Sequence, residues 1–321
     1  MPPWSLVSVG WTRWRFSTYV SPTVITATRR TSGRWRFGIV GTEPPNPYIG
    51  TAEADRMTET AVVAGVGPGL GSSVARRFAE DGAAVGLFAR STEHVEELAD
   101  DLDATTPGTA VAVPTDLTDG EAVADGFAAV RERFGPVDAL AVTAFADGAG
   151  DGGGLFDAET ADLAAAWETR VLGSFRCARA AAADMRRGDG GTVLLTNSAA
   201  ATTPSASLPA ATARHALRGA RSTNADPELG AAGVQTVHVI VDGWIDKPSL
   251  RAAHPDHERW MDPDEIADRL HGLAAAETVH AGEIDLRHPR DEPSFRVSGR
   301  RRRPSASPRC CRPPRRRRPA L

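Results

Sequence analysis

The sequence predicts an α/β fold: a single doubly wound parallel sheet with helices on both faces. Three observations lead there. Short apolar runs alternate with stretches of helical period from Thr60 to Val241, the pattern of a parallel sheet covered on both sides. The first run passes into Gly65-Val66-Gly67-Pro68-Gly69-Leu70-Gly71, a glycine-rich turn at the mouth of a helix. Residues 57–295 also amount to one domain of ordinary size for such folds.

The elements follow in chain order. Residues 60–64 form a short apolar strand, and 72–81 carry helical period through Val74, Phe78 and flanking alanines. A second strand at 84–89 ends in Arg90-Ser91, and a third at 110–114 runs into Thr115-Asp116-Leu117. Further strands are expected at 139–143, 192–196 and 234–241, with helices at about 93–103, 121–134, 161–187 and 209–221. In a sheet of this kind a ligand sits at the carboxyl ends of the strands, where the strand order reverses.

The glycine turn carries the most chemistry. Glycine permits positive φ and close backbone approach because it has no Cβ. The helix that follows aims its free N–H groups and positive dipole end at a phosphate. Gly65, Gly69 and Gly71, with Leu70 between the last two, are expected to contact a dinucleotide, and Gly67 to serve the turn. A flexible glycine-rich loop is the plainer alternative; the strand before and helix after favour nucleotide binding. At the end of the second strand an acidic residue would accept from a ribose hydroxyl, whereas Arg90 suits a 2′-phosphate, so NADP(H) is expected over NAD(H). An ordinary solvated arginine is the alternative. Asp116 has two readings, an acceptor for an adenine amino group or a cap for a helix starting near Thr118.

Charge divides the chain into three. Residues 1–56 hold seven Arg and three acids, and residues 296–321 hold eleven Arg and no acid. That leaves nineteen bases against thirty-eight acids in residues 57–295, a net charge of −19 hidden by the formal −4. The acidic body contains one lysine, Lys247. Such a surface stays soluble where salt screens its self-repulsion, and the expectation is a salt-loving cytoplasm. Nucleic acid is a poor partner for it. Residues 1–56 hold four of the seven tryptophans without helical or strand period. No stretch suits a bilayer span or a secretory signal. Met57 is expected to be the true start, with residues 1–56 a disordered or non-native extension; mass spectrometry of the native N-terminus tests this. The Arg/Pro-rich tail from 296 cannot build a core. A basic arm, a tether to the acidic body and translation past a frameshift compete for it, and the last is favoured. Cys177, Cys310 and Cys311 show no paired spacing and imply a reducing compartment.

These residues together resemble the short-chain dehydrogenase/reductase family, a Rossmann-type fold. The resemblance rests on Gly65 to Gly71, Arg90, Asp116-Leu117, Gly135-Pro136-Val137-Asp138, and Val239-Ile240-Val241-Asp242-Gly243-Trp244-Ile245-Asp246. Gly282-Glu283-Ile284-Asp285-Leu286-Arg287 adds to it. The resemblance implies that Gly243 follows the sixth strand and that the backbone of Ile245 meets the nicotinamide carboxamide. It also implies that Thr143-Ala144-Phe145 stands where the family ends its fourth strand in Asn-Ala-Gly. The family transfers a hydride between nicotinamide and a carbonyl or alcohol carbon. A Tyr supplies the proton, a Lys four residues later lowers its pKa, a Ser orients the carbonyl and an Asn supports a water relay.

Here the chain departs from the pattern. Its two tyrosines, Tyr19 and Tyr48, both precede the glycine turn. The Tyr position falls at Ala210, the Lys position at Arg214, the Asn position at Arg170, and the Ser position at Asn197 or Ser198. An arginine stays protonated and is not a tunable ammonium. Ser198 and Arg214 remain the candidate catalytic residues, and His215 is the nearest group with a suitable natural pKa.

Two functions compete. One is an NADP(H)-dependent oxidoreductase for a small carbonyl, alcohol or enone substrate with atypical proton donation. The other is a nucleotide-binding homologue without turnover, a sensor or partner subunit. His254-Pro255-Asp256-His257 has metal-ligand residue types but no third clear ligand, so a surface loop is preferred and no metal is expected. Residues 244–260 are expected to lid the cleft, beside a glycine-rich loop at 147–154, with Trp244, Lys247 and Trp260 as substrate contacts. A homodimer or homotetramer through the 161–187 helix is expected by analogy.

Overall fold

The computed structural model describes residues 58–144, 153–203, 205 and 207–289, together with the backbone of residues 25–29 and 35–39. The expectations for Met57, Phe145, Cys310, Cys311, the tail and most of the 147–154 loop lie outside the described residues.

The chain divides into two units, residues 1–53 and 54–321. In the first, strand β1 (Ile25–Arg29) pairs antiparallel with β2 (Trp35–Ile39), Ile25 opposite Ile39 and Arg29 opposite Trp35. The tryptophan spacing alone gave no hint of strands here. The signal lay in β-branched Ile25, Thr26 and Thr28 facing a run with Trp35, Phe37 and Ile39.

The second unit holds the sheet. Its strands are β3 (Thr60–Ala64), β4 (Ala84–Ala89), β5 (Thr109–Pro114), β6 (Ala139–Val142), β7 (Gly191–Ser198), β8 (Val234–Asp242) and β11 (Glu283–Arg287). They lie in the order β11-β8-β7-β6-β3-β4-β5, with every neighbouring pair parallel. From β3 the chain builds outward through β4 and β5, then returns to place β6 on the other side of β3. That reversal opens a crevice at the carboxyl end of β3.

Each face of the sheet has its own core, as alternation along β3 shows. Ala61 and Val63 pack with α1 (Leu70–Glu80), α2 (Thr92–Thr105) and α9 (Pro263–Ala274). Val62 and Ala64 pack with α3 (Gly120–Phe134) and α5 (Gly173–Met185). Strand side chains point to opposite faces in turn, so one apolar run feeds both cores. Helix starts are fixed locally: Asp119 accepts from Glu121 and Ala122 N–H to cap α3, and Asp262 caps α9 ahead of Pro263. No helix among the described residues is long and apolar enough to cross a membrane.

Two departures from the sequence expectation bear on the site. The single helix expected over 161–187 is α4 (Thr160–Trp167) and α5 joined by a π-turn, Glu168–Leu172. A π-turn admits one extra residue without breaking the apolar stripe, so periodicity does not reveal it. The helix expected over 209–221 ends sooner: α6 (Leu208–Arg218) passes into a 3₁₀ stretch, Gly219–Ala225, and then α7 (Pro227–Ala231). Helix α9 went unnoticed although Ile266, Ala267, Leu270 and Ala274 give it a buried stripe behind a proline start.

Candidate functional site

A crevice of about 650 Å³ opens over the carboxyl ends of β3, β4 and β5, with the glycine turn as its floor. Gly65 has φ +92°, and its N–H and that of Val66 both donate to the Phe88 carbonyl, at 2.8 and 2.9 Å. A Cβ on Gly65 would lie 2.4 Å from the Ala144 Cα, so no side chain fits. Gly69 has φ +126° and leads into α1, which begins with no side-chain cap and no acid in its first turn. Uncapped N–H groups and the positive dipole end therefore stand at the crevice. Leu70 is buried and anchors that end in the core.

The four glycines do different work. Gly71 has an ordinary φ, but a Cβ there would lie 2.9 Å from the Val66 Cα and 3.1 Å from the Thr143 Oγ1. It allows the helix to close on the turn. Gly67 serves the turn through its carbonyl, which accepts from Ser72, and not through being glycine: its φ is ordinary and a Cβ there would meet nothing within 4 Å. It lies at the open wall of the crevice. Thr143 braces the turn from β6, its Oγ1 donating to the Gly65 carbonyl at 3.1 Å, while Ala144 lines the crevice.

On the outer wall Arg90 and Asp116 face each other. Asp116 accepts from the Thr118 N–H at 2.9 Å and from its hydroxyl at 2.8 Å. These bonds, the backbone one foremost, and the pull of Arg90 hold its carboxyl below the usual range. Asp116 therefore closes a turn, and the helix cap belongs to Asp119. Leu117 is buried beside it, its carbonyl accepting from Arg176 at 3.2 Å. The sequence reading missed His94, which also lines the crevice. Ser72 Oγ donates to the Gly67 carbonyl at 2.9 Å, so the His94 Nε2 at 2.9 Å is the donor to that hydroxyl. A histidine four residues past Arg90 was the available signal.

Past Ala144, which lines both the crevice and a small second cavity, an inner wall is formed by β6, β7 and α6. The two positions held open for the Ser role differ in exposure. Asn197 is 2% exposed and its side chain is engaged inward, while Ser198 is half-buried at the end of β7. Arg170, 5% exposed on the π-turn, and Arg214 line one small cavity with Thr196 and Asn197. The positions aligned with the family's Asn and Lys thus come together in space. Ala210, at the Tyr position, is fully buried. His215 is not part of the site. It is exposed, and its Nδ1 lies 2.9 Å from the carbonyl of Ala211 on its own helix. Helical rotation separates it from Arg214. Cys177 is buried, which pushes its thiol up to about 12 and leaves it inert.

Beyond β8, Gly243 is exposed and leads into β9 (Trp244–Ile245), which pairs in parallel with β10 (Trp260–Met261). Ile245 packs on the core below. Between these strands runs α8 (Pro248–Ala253), tied by the Asp246–Arg251 ion pair. Trp244 contacts His254, His257 and Trp260 by its ring, so both tryptophans brace this segment internally. Lys247 lies over the glycine turn, its Cβ 3.5 Å from where a Gly69 Cβ would stand.

Residues 59–258 match the short chain dehydrogenase family. The chain belongs to that family. It is similar to the short-chain reductase protein NovJ of Streptomyces niveus, at 30% identity over 69% of this chain and 80% of the relative. It is also similar to D-beta-hydroxybutyrate dehydrogenase of Rhizobium meliloti, at 30% identity over 63% of this chain and 78% of the relative. Among solved structures, a metagenomic short-chain oxidoreductase in complex with NADP is 26% identical with a TM-score of 0.61, covering 71% of this chain and 96% of that one. The fold is shared with an alcohol dehydrogenase from the archaeon Thermococcus sibiricus complexed with 5-hydroxy-NADP, at TM-score 0.63 and 23% identity, over 74% and 99% of the two chains. A short-chain dehydrogenase is an oxidoreductase, and the chain is an oxidoreductase of that type.

Proposed function

We propose that the protein is an NADP(H)-dependent oxidoreductase that acts on a small carbonyl, alcohol or enone without a tyrosine proton donor. The observation that carries the reading is the cradle at Gly65, where positive φ and the 2.4 Å approach to Ala144 exclude any side chain beneath an uncapped helix end. Such a cradle suits a pyrophosphate, and Arg90 at the end of β4 suits a 2′-phosphate. The bound nicotinamide supplies or accepts the hydride. The residues of the chain do the rest. The turn and the first amides of α1 hold the diphosphate, and Asp116, at the crevice wall, is available to the adenine edge. Ser198 hydrogen-bonds the substrate oxygen, and Arg214 and Arg170 put positive charge near an oxygen that becomes anionic. Neither arginine gives up a proton near neutral pH, so the proton comes from water or from the substrate itself.

The body's acid excess supports a salt-rich cytoplasm. Leu163, Trp167 and Phe175 are exposed on α4, and on α5 beyond the π-turn, which supports pairing of two or more copies there. A second reading, coenzyme binding without turnover, has one observation in its favour: no tyrosine exists beyond Tyr48. NADPH oxidation against a panel of ketones, aldehydes and enones at high salt, beside NADPH affinity, separates the two. Turnover supports the first; tight binding with no turnover supports the second.

A further inference from the structure

A line of polar groups crosses the sheet from its edge to the inner wall of the site. Glu283 opens the edge strand β11 and accepts from Arg218 through Nε at 2.6 Å and Nη2 at 2.7 Å. Arg221 stands 3.4 Å from the same carboxylate. Glu283 Oε2 lies 3.1 Å from Nδ1 of His238, a fully buried residue of β8. The other ring nitrogen, Nε2, lies 2.9 Å from Asn197 Nδ2. An amide nitrogen only donates, so Nε2 is the acceptor and Nδ1 carries the proton. The Asn197 amide also donates to the Arg214 carbonyl at 2.9 Å, and its Oδ1 accepts from the Ser198 N–H at 2.9 Å. Every polar atom of Asn197 is thereby engaged.

We propose that Glu283 and His238 are positioning residues of the active site, acting through Asn197 to hold Ser198 and the turn of α6 that carries Arg214. The line does not conduct protons to substrate, because an amide interrupts it and its last bond ends on a backbone N–H. It transmits geometry. Glu283 is kept ionised by Arg218, orients the imidazole and selects its tautomer, as a carboxylate does behind a ligating histidine. The imidazole then fixes which way the Asn197 amide points.

The arrangement has a built-in pH dependence. The charged groups facing His238 are Glu283 from β11, Arg218 from α6 and Arg221 from the 3₁₀ stretch after it. Burial foremost, with help from the arginines, lowers the His238 pKa, and Glu283 opposes. The ring is therefore neutral at neutral pH. Protonating Nε2 would set a donor against the Asn197 NH₂ group. The amide would have to turn and release Ser198 or Arg214. Positioning is thus intact above the ordinary histidine range and lost on acidification through the lowered value.

The test uses the full chain in concentrated KCl, with melting temperatures recorded for wild type, H238Q, H238A and E283Q. Gln at 238 can accept from Asn197 and donate to Glu283 but cannot titrate. Amide hydrogen exchange at Ser198, measured near neutral pH, is expected to stay at the wild-type rate in H238Q. It should speed up about tenfold in H238A, the loss of roughly one buried hydrogen bond. E283Q stands in if H238A does not fold, with an expected increase of about threefold. The second readout, NADPH affinity against pH, rests on the proposed function. Wild type should weaken on acidification more than H238Q does. Equal Ser198 exchange in wild type, H238A and E283Q overturns the proposal, as do parallel affinity profiles for wild type and H238Q. Should wild type bind no NADPH, the proposed function falls while Ser198 exchange still decides the positioning role.

Discussion

The outer and inner walls of the crevice are built on different principles. The outer wall rests on a floor made by backbone: positive φ at Gly65 and Gly69, two N–H groups on one Phe88 carbonyl, and the bare start of α1. The inner wall is made by side chains from segments far apart in sequence, Arg170, Asn197 and Arg214, with His238 and Glu283 behind Asn197. A floor built of backbone tolerates no added Cβ where chains approach closely, as at Gly65, but is indifferent to most neighbouring side chains. A side-chain wall can exchange its chemistry while the scaffold persists. That difference lets the glycine-built crevice keep its shape while the side chains beside it vary.

The sharpest way to break this comparison is at Gly65. Gly65→Ala adds a strained φ and an overlap with Ala144. It should cost about 3 kcal/mol or more of stability and remove NADPH binding. Gly67→Ala, with open space and an ordinary φ, should melt within about 2 °C of wild type. Thermal melts of the two variants side by side check the claim; equal melting would contradict a floor made by backbone.

The proposed NADP(H) preference rests on Arg90. Arg90→Ala should weaken NADPH by about 10- to 100-fold, the loss of a charge-assisted hydrogen bond. NADH affinity should change by no more than about threefold, since the 2′-phosphate is absent from it. The ratio of the two dissociation constants is the measurement, and a ratio unmoved by the substitution would remove the NADP(H) preference.

Stronger acid should also destabilise the fold through Glu283. Arg218 is the main cause of a carboxyl held at about 2, below the usual carboxylate range. The folded pKa lies below the unfolded one, so the stabilisation is present above about pH 4.5 and is lost as pH falls toward 2. Glu283→Gln should lower stability near neutral pH by about 2 kcal/mol, a value reduced for partial exposure. The gap from wild type should close across that acid window in denaturant melts. The smallest effect belongs to His215→Ala: NADPH turnover should stay within about twofold of wild type, because an exposed side chain tied to its own helix contributes little.

What could be read in the sequence follows the same division. The strands and the glycine turn were legible because period and glycine spacing are local, and β3, β4 and α3 fall within a residue or two of expectation. Arg90, Asp116 and Ala144 fell at the crevice for the same reason. The π-turn was invisible because it leaves the apolar stripe of 161–187 intact. The distinct tasks of Gly67 and Gly71 depend on what stands opposite them, which no spacing reveals. His215 looked suitable by type and nearness in sequence, but a helix turns adjacent residues about 100° apart. The His238–Asn197 pairing joins neighbouring strands, and Glu283 comes from a strand recognised only by family likeness. None of these contacts leaves a local trace.

The most direct measurement is calorimetric titration of NADPH into the wild-type protein in concentrated KCl, with the fold verified by circular dichroism in the same buffer. Saturable heat with one site per chain is the predicted result. A folded protein that gives no heat would contradict the claim that the glycine-built crevice is a coenzyme site.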